Sequence, residues 1–134
     1  MGGVTGATVR VAVTGGRDYE ITPHEAREFR SALASQLIAS GARHLVLVHG
    51  GARGVDSRAA EIAEAAGYAT APYEAAGDWM KRLGHGKVAG PMRSWQMLQG
   101  AHVLIAFPGG EGTAGCVQIA LPAGISVIRI GAPG

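Results

Sequence analysis

The sequence predicts an α/β domain: a doubly wound parallel sheet of about five strands with helices on both faces. Three observations predict it. Short β-branched apolar runs alternate with stretches of helical spacing, the pattern of parallel βαβ units. Glycine-rich punctuation separates runs from the helices that follow, and glycine supplies 22 of the 134 residues, about twice ordinary usage. The length fits a single domain spanning 1–134 with loose ends at 1–7 and 131–134, large enough to bury a core without metal or disulfide support.

Each element has its own local signal. Thr8–Thr14 (TVRVAVT) alternates Val9, Val11 and Val13 with Arg10 and Ala12 and reads as the first strand. Thr22-Pro23-His24-Glu25 is a helix start, with Thr22 as cap, Pro23 in the first helical position and Glu25 as the reciprocal capping-box partner. Ala26, Phe29, Leu33 and Leu37 then recur at helical spacing until Gly41. His44–His49 (HLVLVH) is the second strand, and Val55, Ala59, Ile62, Ala63 and Ala66 mark a second helix stopped by Gly67. Tyr68–Tyr73 is a weaker third strand, Glu74–Gly90 a long irregular stretch, and Pro91–Gln99 a short helix. His102–Phe107 (HVLIAF) is a strand, a helix spans roughly Thr113–Ala123 with Pro122 shortening it, and Ser126–Ile130 closes the sheet.

Composition removes several function classes. Apolar residues make up 47% and charged residues 16%, which argues against disorder. Cys116 is the single cysteine, so neither a disulfide framework nor a CxxC metal clip is present. No apolar run approaches the ~18 residues of a membrane span. MGGVTGA lacks the layout of a secretion signal, so a cytoplasmic location is expected. The five histidines show no ligand spacing, and no metal or other cofactor is expected. The net charge of +2 is too small for a duplex-binding stripe. Several arginines follow glycines instead, which suits a small phosphate-bearing ligand.

In parallel sheets, ligands bind beyond the carboxyl ends of the strands where strand order reverses. Three glycine-rich loops fall there: Thr14-Gly15-Gly16-Arg17-Asp18-Tyr19, His49-Gly50-Gly51-Ala52-Arg53-Gly54-Val55-Asp56, and Pro108-Gly109-Gly110-Glu111-Gly112-Thr113. Glycine lets the backbone approach a ligand, and the next helix offers free N–H groups and a positive dipole end. Close packing of short turns is the plain alternative. None of the loops matches Walker A, and neither the loop after the first strand nor Gly50-Gly51-Ala52-Arg53-Gly54 fits the spacing GxGxxG, which argues against a conventional P-loop kinase or nicotinamide dehydrogenase.

These three loops, with Ala89-Gly90-Pro91-Met92-Arg93 and the Ala106-Phe107 that leads into the last, resemble the SLOG superfamily, and within it the small YspA/YpsA-related proteins. The resemblance covers about residues 8–130, with the four motifs in family order. It implies a Rossmann-like fold that binds a nucleotide or nucleotide-derived molecule, with relatives among the Lonely Guy phosphoribohydrolases and the single-strand-binding DNA-processing protein DprA. By resemblance, Gly109, Gly110, Gly112 and Thr113 hold a phosphate. Gly15, Gly16, Gly50 and Gly51 line the ribose and base side, and Arg93 matches the arginine of the hydrolase motif. Arg17, Arg53 and Gly54 lie in the same loops and join the expected ligand-binding set.

One departure divides the readings. In the hydrolases a carboxylate follows the PGGxGT motif within three residues, whereas Thr113 is followed by Ala114, Gly115, Cys116 and Val117. Glycosidic cleavage through an oxocarbenium-like state needs a negative group near the anomeric carbon. Asp18 and Asp56 are the available substitutes. Asp18 is the better one, because Asp56 reads as an N-terminal helix residue favoured by the dipole. The main expectation is therefore sensing or sequestration of a nucleotide-derived ligand. The enzyme alternative is N-glycosidic hydrolysis of a nucleoside 5′-monophosphate, with Arg93 and Asp18 as catalytic residues. Single-stranded nucleic-acid binding is a third reading, disfavoured by the modest charge. Cys116 reads as core rather than nucleophile, and His49 is either strand-end packing or a ligand contact. Tyr73, Trp79 and Trp95 either stack on a base or pack, Glu74–Gly90 is a candidate lid, and an Ala-rich helix face would suit a homodimer.

Overall fold

The computed structural model describes residues 8–50, 53–72 and 97–131, with Glu111 described by its backbone alone. Five strands form one all-parallel sheet: β1 (Thr8–Thr14), β2 (His44–His49), β3 (Ala69–Pro72), β4 (Val103–Ala106) and β5 (Ser126–Arg129). Their spatial order is β3-β2-β1-β4-β5, so β1 is central and the order reverses between β1 and β4. The register runs Val11↔Leu47 on one side of β1 and Val11↔Val103 on the other. This is the predicted doubly wound architecture, consistent with a Rossmann-like fold.

Side-chain alternation along the strands creates two cores. Val9, Val11 and Val13 of β1 join Leu45, Leu47, Val103 and Ile105 on one face. Helices α1 (Pro23–Ser40) and α2 (Val55–Ala65) cover that face with Phe29, Leu33, Val55, Ala59 and Ile62. Ala12, Val48, Leu104 and Ala106 point the other way. There they meet Cys116, Val117 and Ala120 of α3 (Glu111–Ala120), together with Met97 and Leu98. Burial on both faces explains why β4 reads as a continuous apolar run.

The start of α1 matches the sequence reading atom for atom. Thr22 Oγ1 accepts from the Glu25 N–H at 3.1 Å, and Glu25 Oε1 accepts from the Thr22 N–H at 3.0 Å. Gly41, at φ 72°, ends the helix in the left-handed conformation. Other boundaries shift. α2 stops at Ala65, leaving Ala66 as its cap, and β3, β4 and β5 are shorter than their apolar runs. α3 begins at Glu111 rather than Thr113, because Gly112, a poor helix former, disguises its first turn. It ends at Ala120, three residues early: Pro122 has no N–H to continue the ladder. Ala123 and Gly124 instead close tight turns onto Ala120 and Leu121.

The Pro91–Gln99 helix lies outside the described residues except for 97–99, of which 97 and 98 are helical. The stretch Glu74–Gly90, with Tyr73, Trp79, Trp95 and Arg93, lies wholly outside them. Among the described residues, no helix is long and apolar enough to cross a membrane.

Candidate ligand-binding site

Parallel strands put all their carboxyl ends on one edge of the sheet, so the three glycine loops share that edge. The loop after β1 lies at the switch point and contacts both of the others. Its Gly16 N–H donates to the Pro108 carbonyl at 2.9 Å, and its Gly16 carbonyl accepts from the Val55 N–H at 3.2 Å. Phe107 N–H donates to Thr14 O at 2.9 Å just beneath. Hydrogen bonds thus tie the chain leaving β1 to the chain leaving β4 at the switch point, the place where such sheets form their ligand crevice.

The loops differ in how much of their backbone is already spent. Gly54, at φ 79°, lies so close to Arg17 that a Cβ would overlap the Arg17 carbonyl oxygen. Its neighbour Val55 gives the first free N–H of α2 to Gly16, and Gly50 gives its N–H to Asp56 Oδ2 at 3.1 Å. Asp56 is the second residue of α2, buried at the dipole's positive end, as the sequence suggests. The described residues of the loop after β2, Gly50 and Gly54 to Asp56, are therefore engaged with their neighbours. Gly15 is closed as well, since a Cβ there would meet the Val55 side chain at 2.6 Å.

The loop after β4 is different. Gly109 is packed: a Cβ would overlap Thr113 Oγ1 and approach Gly16 N at 2.7 Å. Gly110 and Gly112 face open space, with nothing among the described residues within 4 Å of an added Cβ. Gly110 is the N-cap of α3 and supplies no side-chain hydrogen bond to the first turn. Thr113, half-buried, holds its hydroxyl beside Gly109 at the same helix start. This one helix start combines uncapped N–H groups, a hydroxyl and clear approach.

The remaining expected residues fall around it. Asp18 and Arg53 form a 3.3 Å ion pair between the loops after β1 and β2, with 89% and 75% of their side chains exposed. Arg17 is exposed beside them, and Gly51 and Arg93 lie outside the described residues. His49 is buried at the end of β2 and lines a cleft of ≈ 340 Å³ between α2 and β3, with Ser57, Glu61, Glu64, Thr70 and Pro72. Of the described residues of the three glycine-rich loops, His49 alone lines that cleft, and none of their glycines does. No group of three or more His, Cys, Asp or Glu among the described residues is arranged to hold a metal ion.

Sequence reasoning missed one participant. Tyr19 donates its hydroxyl to Glu25 Oε2 at 2.6 Å. The Glu25 carboxyl is held below its ordinary range by the Thr22 backbone N–H and then by the Tyr19 hydroxyl, against the opposing effect of burial. The same bond, with burial, raises the Tyr19 phenol above its usual value. The spacing Tyr-x5-Glu across a loop–helix junction is the only signal the sequence carries.

The fold and this crevice define a doubly wound α/β domain with a glycine-lined helix start at its topological switch point. The chain is 39% identical over 128 residues to the Gene 61 protein of Mycobacterium phage D29, covering 91% of this chain and 96% of that protein. It belongs to the same family as that phage protein. No family model and no solved structure matches the chain.

Proposed function

We propose that the chain is a SLOG-type domain that binds a nucleotide-derived, phosphate-bearing small molecule in the crevice between the loops after β1 and β4. The phosphate lies over the first turn of α3, against Gly110, Gly112 and Thr113. One observation carries this reading. Glycine weakens a helix by up to about 1 kcal/mol relative to alanine, yet Gly112 sits in the first turn of α3 where an added Cβ would meet no described residue. Packing within the described residues gives no reason for glycine there; close approach by a ligand does.

Retention without turnover is the favoured form of the activity. The hydrolase carboxylate is absent from positions 114–117, and Asp18 is solvent-exposed and engaged with Arg53. Incubating the purified protein with a panel of nucleoside monophosphates, ADP-ribose and cyclic messengers, then separating bound from free by ultrafiltration and mass spectrometry, tests it. A compound retained intact by the wild type and lost in Gly110→Asp supports the proposal. Free base with ribose phosphate shows turnover and favours the hydrolase reading. Retention unchanged in Gly110→Asp overturns the placement of the phosphate.

A further inference from the structure

The ring of Tyr19 bridges parts of the crevice that are far apart in sequence. Its near end packs under the loop: a Cβ on Gly16 would meet Tyr19 Cβ at 3.5 Å and Pro108 O at 3.3 Å. Its far end reaches the chain leaving β5. There a Cβ on Gly131 would meet Glu25 Oε2 at 2.7 Å, Pro108 Cδ at 2.9 Å and the Tyr19 hydroxyl at 3.1 Å. One side chain therefore runs from beside the switch-point glycine to the Glu25 carboxylate at the start of α1 and ends beside the point where β5 and the loop after β4 meet.

The partner of the hydroxyl is fixed. Glu25 is buried and its Oε1 is held by the Thr22 N–H, while its own N–H is held by Thr22 Oγ1. The loop from Gly15 to Ile21 has no regular structure to hold it. Its described hydrogen bonds are few: those of the Gly16 backbone, the exposed Asp18–Arg53 pair and the Tyr19 hydroxyl. A hydrogen bond to a carboxylate inside the structure is stronger than an exposed ion pair.

We propose that Tyr19 is a positioning residue of the crevice: clamped through its hydroxyl to Glu25, it holds Gly16 against Pro108 and so sets the gap between the two loops. For ligand binding this rests on the function proposed above; for loop geometry it stands alone. Removing the hydroxyl leaves the ring packed but unclamped. The Gly16–Pro108 hydrogen bond then opens more often, while the strands beneath are untouched.

Amide hydrogen exchange followed by NMR tests this in Tyr19→Phe, Glu25→Gln and the double variant. In Tyr19→Phe the Gly16 amide exchanges about tenfold faster relative to Val11 and Leu104. The double variant exchanges at Gly16 no faster than the faster single variant, because once the Tyr19 hydroxyl is gone the change at Glu25 has no bond to that side chain left to weaken. Equal acceleration at Gly16, Val11 and Leu104 would mean general destabilisation and overturn the clamp, as would additive effects. Inorganic phosphate, titrated against wild type, Tyr19→Phe and Gly110→Asp, reads the ligand arm. Phosphate that binds wild type and weakens in Tyr19→Phe supports the link to binding; undiminished affinity refutes it. Phosphate that fails to bind wild type counts against the phosphate site, while the exchange result still decides the clamp.

Discussion

The Gly16 N–H donates to the Pro108 carbonyl oxygen at 2.9 Å, joining two loops 92 residues apart across the line where strand order reverses. That bond uses a donor which, in a conventional β1 glycine loop, would face a ligand. Val55 N–H and Gly50 N–H are spent in the same way on Gly16 O and Asp56. Among the described helix starts at this edge, α1 is closed by its capping box and α2 is bonded to Gly16. α3 is the start left without such a closure. The three glycine loops are thus unequal: the loop after β1 is tied to both of the others, and in the loop after β4 Gly110 and Gly112 face open space among the described residues.

Gly54→Ala should damage the fold rather than only the site. Its φ of 79° is a conformation that L side chains rarely adopt, and an added Cβ would overlap Arg17 O and lie 2.6 Å from Gly16 O. Backbone strain and overpacking together destabilise by about 3 kcal/mol or more. Urea denaturation should show a lower midpoint with an unchanged slope. A midpoint within error of wild type would mean that the loops after β1 and β2 are not packed as described.

The Glu25 clamp predicts a particular acid response. Its folded-state pKa is lowered, so its contribution to stability is present above the unfolded value near 4.5 and is lost as pH falls through the folded value. His24 adds to the lowering through its charge, and Tyr19 through its hydroxyl. Thermal melts of wild type and Glu25→Gln should therefore differ most at neutral pH and converge below pH 4.5. A gap that stays constant through that range would show that the carboxylate's charge contributes nothing.

How much of this was legible depends on sequence distance. The capping box at Thr22 and Glu25 could be read because its donors and acceptors lie within four residues. The central strands could be read because their burial favours Val, Leu, Ile and Ala, as in the fully buried Val103–Ala106. The edge strands β3 and β5, with no fully buried residue, carry a weaker signal. The inequality of the glycine loops could not be read. Gly109 and Gly110 are adjacent and chemically identical, and only tertiary packing places Thr113 and Gly16 against one and open space against the other. Tyr19 was equally hidden, since what defines its role is Gly131 and Pro108, brought to it by β5 and β4.

Phe29→Ala tests whether the core supports the crevice. Phe29 is fully buried in α1 and meets Phe107 edge-on, ring centroids 5.6 Å apart at 61°. Phe107 leads directly into Pro108, the acceptor for Gly16. Losing a buried phenyl ring destabilises by about 3–5 kcal/mol. Calorimetry should show a large drop in melting temperature, and NMR at low temperature should show the Gly16 amide among the most perturbed. Perturbation confined to α1 would disconnect this core from the loop after β4.

Gly109 and Gly110 offer the sharpest separation of fold from binding. Alanine at 109 would press on the Thr113 hydroxyl and lie 2.7 Å from the Gly16 nitrogen, so either Thr113 turns or the two loops part. Overpacking of that kind destabilises by about 1–3 kcal/mol. Alanine at 110 meets nothing among the described residues within 4 Å. Its melting temperature should stay close to that of wild type. Aspartate at 110 goes further, because its carboxylate can cap the free N–H groups of α3 and oppose an incoming anion. Gly110→Asp should therefore fold at least as well as Gly110→Ala while losing phosphate affinity. If Gly109→Ala were neutral and Gly110→Asp strongly destabilised, the roles assigned to the two glycines would be reversed.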